Sequence, residues 1–222
     1  PLMPLPILYS LQNCPYAMRA RLAILLAQQR VSIRALSMKN RPAEMLALSP
    51  KGTVPVLILE SPETRPQVID ESLDIMLWAL TRSDPQDLLY ARQADALPEM
   101  LQIIDENDRQ FIPRLERYKW AKRFHHPDET SCRLECELFI QRLEDRLARQ
   151  PFLMGATPSL LDYALLPFVR QFSRVDRQRY RTGPYKQLRG WLTDHLQSRL
   201  FCKAMLNYPL WLDHHQTCVL GD

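Results

Sequence analysis

Hydrophobic positions along the chain fall into two regimes. Up to about residue 83 strand-like and helix-like spacings take turns. Leu5 to Ser10 is a short apolar run suited to a buried strand. From Pro15 the spacing changes: Met18, Leu22, Leu25 and Leu26 recur at i, i+4, i+7 and i+8, one face of a helix. Val31 to Leu36 alternates as a strand does, and Pro42 to Leu48 reads as a short helical turn. Val54 to Leu59 is rich in β-branched residues, and Gln67 to Ile69 can pair beside it. Glu71 to Leu80 returns to helical spacing through Leu73, Met76, Leu77 and Leu80. The predicted order is β-α-β-α-β-β-α.

From about residue 86 onward no segment reads as a strand. Leu97, Leu101, Ile104, Phe111 and Leu115 mark one long amphipathic helix, and Cys136, Phe139, Ile140, Leu143 and Leu147 mark a second. Ser159 to Phe172 is a third, and Tyr185 to Leu206 supplies one or two more. Thr81 to Asp87, with Ser83-Asp84-Pro85, reads as a linker. The expected class is α+β: an α/β domain over 1–83 followed by an all-helical domain over 84–222. The tail Thr217 to Asp222 is expected to be disordered.

Composition narrows the setting. With 222 residues, 46% hydrophobic and 24% charged, the chain can bury a sizeable core without disulfides or metals. A net charge of +4 argues for neither nucleic acid nor membrane as partner. The one biased stretch, Arg170 to Arg181 with Arg174, Arg177 and Arg179 between, reads either as a solvated helix end or as an anion-attracting rim. Five scattered cysteines (14, 132, 136, 202 and 218) do not form a disulfide framework, which points to a reducing, cytoplasmic compartment. Cys132 and Cys136 share a helix face and read as core packing, and no metal site is expected. No apolar run reaches the ~20 residues of a membrane span. The start, Pro1-Leu2-Met3-Pro4, has no secretory leader pattern, with Met3 the expected natural start.

Candidate chemistry sits between the first strand and the first helix, in Asn13-Cys14-Pro15-Tyr16-Ala17. Pro15 fits the first helical turn and puts Cys14 at the cap, where backbone N–H groups and the helix dipole favour a negative charge on sulfur. A thiolate is the nucleophile of disulfide exchange. Ala17 stands where a C-x-x-C motif has its second cysteine, so the resolving thiol has to come from elsewhere, and free glutathione is the obvious supplier. The alternative is a small buried cysteine of no chemical use. Gly52-Thr53-Val54-Pro55-Val56 holds a candidate cis peptide that would leave the Val54 backbone free for an extended peptide, or a plain trans-proline strand start. Asp70-Glu71-Ser72 could cradle a carboxylate at a helix start, or simply begin the helix well. Lys39-Asn40-Arg41-Pro42 could hold a second carboxylate, or be a solvated loop. Together they supply a thiolate, a backbone ladder and two carboxylate sites, the complement of glutathione.

Residues 5–83 resemble the thioredoxin-like domain of the glutathione transferase superfamily. The run Cys14-Pro15-Tyr16-Ala17-x-Arg19-x-Arg21-Leu22 is similar to its cysteine-type branches, the omega class and bacterial relatives. Met38 to Pro42, Gly52 to Leu57 and Glu71-Ser72 match as well, and Ser159, Asp162, Leu165 and Pro167 resemble the superfamily's buried sixth helix. The resemblance implies a catalytic Cys14, a glutathione site of Lys39 or Arg41, Val54, Pro55, Glu71 and Ser72, and a second-substrate pocket near Tyr16 and the residues around 100–120. Arg41 departs from the lysine usual in the omega class. It further implies a homodimer with glutathione as co-substrate, acting as a thiol transferase through a Cys14–glutathione mixed disulfide, with dehydroascorbate reduction as a side activity. The alternatives are conjugation of glutathione to electrophiles, for which Tyr9 and Ser10 are the nearest hydroxyls, and a non-catalytic protein-binding module. A branch that reduces glutathionyl-hydroquinones carries C-P-W-A, where this chain has Tyr16.

Overall fold

A computed structural model of the protein describes residues 4–61 and 63–222; Met3 lies outside them. The chain forms two compact units. One comprises the described residues up to Gln86 together with Arg199–Asp222, and the other comprises Asp87–Ser198.

The first unit is built on a five-stranded sheet in the order β4-β3-β1-β2-β5. Central β1 (Ile7–Ser10) is buried at all four positions, which is why its sequence is a continuous apolar run rather than an alternation. Helix α1 (Pro15–Leu26) carries the chain over to β2 (Val31–Ala35), which runs parallel to β1. Pro15 starts α1, and the chain leaves it through Gln28 at a φ of 52°. After α2 (Ala43–Leu48), β3 (Val56–Leu59) pairs antiparallel with β1, and β4 (Gln67–Ile69) pairs antiparallel with β3. Helix α3 (Ser72–Arg82) follows and packs against α1. This is the predicted β-α-β-α-β-β-α order.

The second unit is helical throughout: α4 (Ala96–Glu106), α5 (Ile112–Arg123), α6 (Glu129–Leu147), α7 (Leu160–Val175), α8 (Arg177–Thr182) and α9 (Lys186–Leu196). The single long helix expected from Leu97 to Leu115 is interrupted by a π-helical turn at Asn107–Phe111. Pro113, just beyond it, has no N–H to give to the carbonyl four residues earlier, and the wider turn absorbs that loss. Phe111 meets Phe139 of α6 at 4.9 Å and Phe172 of α7 at 6.2 Å, the aromatic centre of this unit. The start of α7 is fixed by a capping box in which Ser159 and Asp162 satisfy each other's backbone.

The tail departs from expectation. After α10 (Arg199–Ala204) and α11 (Trp211–His214), Cys218–Leu220 forms β5, antiparallel to β2 with Val31 opposite Leu220 and Ile33 opposite Cys218. Thr217 to Asp222 is therefore ordered, and a strand does exist beyond residue 86. The reason lies on β2, whose outer edge would otherwise present unpaired backbone groups. Gly221 completes the fit at φ +106°, because a Cβ there would stand 2.3 Å from the Gln29 carbonyl oxygen. Arg34 of β2 also holds α11, stacking 3.9 Å from the Trp211 ring, while Trp211 donates to Glu44 at 3.0 Å.

Candidate functional site

Two strand-to-helix junctions and the α2-to-β3 turn of the first unit meet around one cavity of about 410 Å³. Cys14 enters it from the start of α1. Its N–H donates to the Leu11 carbonyl at 3.1 Å, and its own carbonyl accepts from Met18 at 2.9 Å, so the cap is held on both sides. No acidic residue stands in the first turn of α1 to offset the positive end of the helix dipole. The sulfur is half-buried and lies 3.9 Å from the Val54 carbonyl oxygen.

Val54 and Pro55 form the second wall, and the peptide bond between them is cis. Pairing of β3 with β1 begins only at Val56, opposite Tyr9, so the backbone of Val54 stands outside the ladder. The third wall is the start of α3, where Glu71 is the cap and Ser72 the first helical residue. Ser72 is buried and accepts from Arg19 of α1 at 3.4 Å, and the Ser49 hydroxyl donates to Asp70 at 2.9 Å. Tyr16, 37% exposed, completes the rim beside Cys14.

Of the residues singled out in the sequence, Cys14, Tyr16, Val54, Pro55, Glu71 and Ser72 line this cavity, whereas Lys39 and Arg41 do not. Lys39 is exposed. Arg41 turns back on its own loop and donates to the Gly52 carbonyl at 2.9 Å. Gly52 has φ +67°, a backbone conformation that favours glycine, and this turn presents its carbonyl to Arg41. The cation in the wall is instead Lys51. Its ammonium donates to the Asp70 carbonyl at 3.1 Å and pairs with the Glu71 carboxylate. The sequence signal for Lys51 was its place two residues before Thr53-Val54-Pro55, on the turn that delivers the proline.

Arg21 is a second residue the sequence reading left without a role. It is 2% exposed and donates to the Ser10 hydroxyl at 2.6 Å and to the carbonyls of Leu11 at 3.1 Å, Gln12 at 2.6 Å and Ala204 at 2.7 Å. Burial lowers its pKa to about 10, against the attraction of Cys14 and Tyr208, so it remains a cation at neutral pH. It thereby fixes the loop that leads into Cys14. The two hydroxyls nearest in sequence are engaged elsewhere: Tyr9 accepts from Arg34 at 2.9 Å, and Ser10 accepts from Arg21. Burial pushes the Tyr9 hydroxyl pKa up, opposed by Arg34.

The arrangement offers a thiol at a helix start, a backbone strip beside it, and a lysine and helix N-terminus suited to carboxylates. Among the described residues no helix is long and apolar enough to cross a membrane. No curated protein matches the chain by sequence. Many solved structures share its fold. One is a glutathione transferase family member from Pseudomonas fluorescens with two glutathione bound, 16% identical at a TM-score of 0.77, covering 90% of this chain and 92% of that one. Glutathione transferase Omega 2C from Trametes versicolor is 19% identical at a TM-score of 0.74, covering 91% and 93%. A Pseudomonas putida glutathione transferase with one glutathione disulfide bound per subunit is 17% identical at 0.74, covering 90% of each chain. At such identities these structures speak to the fold alone. Sequence families carry the assignment further: the glutathione S-transferase N-terminal domain matches residues 8–86 and the glutathione S-transferase C-terminal domain matches residues 136–194. The chain belongs to the glutathione transferase superfamily, a family of transferase enzymes.

Proposed function

We propose that this transferase works as a glutathione-dependent thiol transferase, with Cys14 as nucleophile and the glutathione site within residues 1–83. The observation that carries the reading is the Cys14 sulfur 3.9 Å from the Val54 carbonyl in a cavity that also presents Lys51 and the start of α3. An extended tripeptide can lay its backbone along Val54, its carboxylates at Lys51 and at the N–H groups of α3, and its sulfur beside Cys14. Lys51 takes the carboxylate role that the sequence alone gave to Lys39 or Arg41. Relatives of the same fold with glutathione or its disulfide bound are in keeping with this ligand.

The reaction runs in two exchanges. The Cys14 thiolate attacks the glutathionyl sulfur of a mixed disulfide, forming Cys14–S–S–glutathione and expelling the substrate thiolate, which takes a proton from solvent. The thiolate of a second glutathione then attacks the glutathionyl sulfur on Cys14. Glutathione disulfide leaves and the Cys14 thiolate returns. The glutathione pair is oxidised and the substrate is reduced by two electrons. Conjugation through Tyr9 or Ser10 is disfavoured because Arg34 and Arg21 hold their hydroxyls.

The test is glutathione-dependent reduction of a glutathione–hydroxyethyl mixed disulfide, run with wild type and Cys14→Ser. Turnover in the wild type, a glutathione adduct on it by mass spectrometry, and loss of both in the variant are expected. Equal activity in the two proteins would remove Cys14 from the mechanism. Inactivity of both, with no retention on immobilised glutathione, would favour a binding module.

A further inference from the structure

The basic run that the sequence left undecided, Arg170 to Arg181, comes together in the second unit with part of α9. The end of α7, α8 and α9 border a shallow, open hollow of about 350 Å³ lined by Arg174, Arg177, Arg181 and Arg189 and by no carboxylate. The hydroxyls of Ser173 and Thr193 border it too. We propose that this hollow binds a compact phosphorylated anion, a small oligophosphate in chemical class. The inference does not depend on the glutathione reading.

Three observations carry it. First, the nearby carboxylates are already committed elsewhere. Asp176 is held by Lys122 at 2.7 Å and accepts from the Arg179 N–H at 2.9 Å, and Glu137 pairs with Arg133 at 2.7 Å and with Arg179 at 3.7 Å. Among the described residues no carboxylate pairs with Arg174, Arg177 or Arg181. Glu144 stands near Tyr180 but spends its carboxylate on the N–H groups of Gln187 and Leu188 at 2.9 and 2.7 Å. Four like charges gathered on one hollow attract an anion, and guanidinium forks match phosphate oxygens two at a time. Second, the frame is fixed before any ligand arrives. Arg189 donates to the Gly183 carbonyl at 2.6 Å and to the Tyr180 carbonyl at 3.3 Å, which ties α9 to the end of α8. Third, Tyr180 lines the hollow, and its ring packs on Tyr185 at 5.4 Å and edge-on to Phe172 at 6.1 Å, so the floor between α7 and α9 is rigid.

The shape selects a compact ligand over a nucleic acid strand. The cations converge on one hollow instead of tracking along a stripe. The Tyr180 ring is stacked on Tyr185 at 5.4 Å, which leaves no open aromatic platform for a base.

Titration calorimetry of the full chain with inorganic tripolyphosphate, at about physiological ionic strength, tests the proposal. One saturable site is expected. Arg174→Gln with Arg177→Gln should weaken it roughly ten-fold or more, since charge-assisted contacts are lost. Arg149→Gln, on a separate surface of mixed charge, should leave it unchanged. Thermal unfolding of each variant checks that the fold is intact. Absence of saturation at millimolar tripolyphosphate, several weak sites, or an equal loss in Arg149→Gln would overturn the proposal. So would tighter binding of a single-stranded RNA of equal charge, which would make the surface a nucleic-acid contact.

Discussion

Replacing Lys51 with alanine is expected to weaken glutathione binding about ten-fold, while Arg41→Ala should leave it within about two-fold. The Lys51 ammonium stands in the cavity wall, with 40% of its side chain exposed, and its partners are the Asp70 carbonyl and the Glu71 carboxylate. A carboxylate arriving about 4 Å away gains roughly 1–4 kcal/mol, according to whether the effective dielectric is that of water or of a protein surface. Glu71 already claims part of that charge, and water refills the site in the variant. A net loss of about 1.4 kcal/mol, one decade in affinity, is therefore the reasoned value. Arg41 spends its guanidinium on the Gly52 carbonyl at 2.9 Å, so its loss loosens the loop without removing a charge from the wall. Calorimetric titration of glutathione into Cys14→Ser versions of both variants reads affinity without turnover. A ten-fold loss in Arg41→Ala with none in Lys51→Ala would refute the assignment, because the carboxylate would then be held from outside the observed cavity.

Three further outcomes follow from the fold. Asp162→Asn should cost about 2–4 kcal/mol and lower Tm by roughly 6–12 °C, because the buried carboxylate accepts from Leu153 N, Ser159 N, Ser159 Oγ and Trp191 Nε1 at 2.9, 2.9, 2.8 and 2.9 Å, and an amide can keep only part of that set; a shift below 2 °C in calorimetric melting would contradict it. His195 is buried with its Nε2 unpartnered, and burial lowers its pKa from 6.5 despite Asp162 and Asp194. The unfolded chain then binds more protons, so stability should hold above about pH 6.5 and fall as the pH drops below it. Urea midpoints at pH 7.5 and 5.5 should show less of this fall in His195→Gln, and an unchanged fall would assign it to other groups. Ending the chain at Gln216 removes β5 and the buried Leu220, and should cost about 2–4 kcal/mol by urea unfolding; an unchanged midpoint would mean that β5 does not contribute.

Much of the candidate site was legible because its parts are local. A proline at the first helical position, an apolar face from Met18 onward and a cysteine before both are enough to set Cys14 at a helix start, and the structure places it there. Val54-Pro55 and Glu71-Ser72 likewise sit at junctions whose backbone follows from the few residues around them. What stayed hidden depends on partners far away in the chain. Three terminal residues, Cys218–Leu220, hold no strand signal of their own, and only the open edge of β2 explains why they form one. The break at Asn107 was masked because the apolar spacing runs through it without interruption.

Cations were the least legible group, and the reason is physical. An arginine or lysine in a sequence says that a charge exists, but its role is set by whichever acceptors the fold brings to it. Arg21 lies among carbonyls from residues 11, 12 and 204. Arg41 closes on a glycine eleven residues away, and Lys51 bridges to the start of α3. Among the described residues Arg174, Arg177 and Arg181 pair with no carboxylate, although the sequence around them looks equally charged. The same logic ranks the two residues that frame Cys14. Arg21 distributes a planar fork over four oxygens under nearly complete burial, so lysine, with three donors on one atom, cannot replace it. Lys51 offers a point charge at a solvated rim, where either cation can meet a carboxylate. Around Cys14 the buried charge therefore holds the loop, and the exposed one is the charge that the Lys51→Ala titration tests.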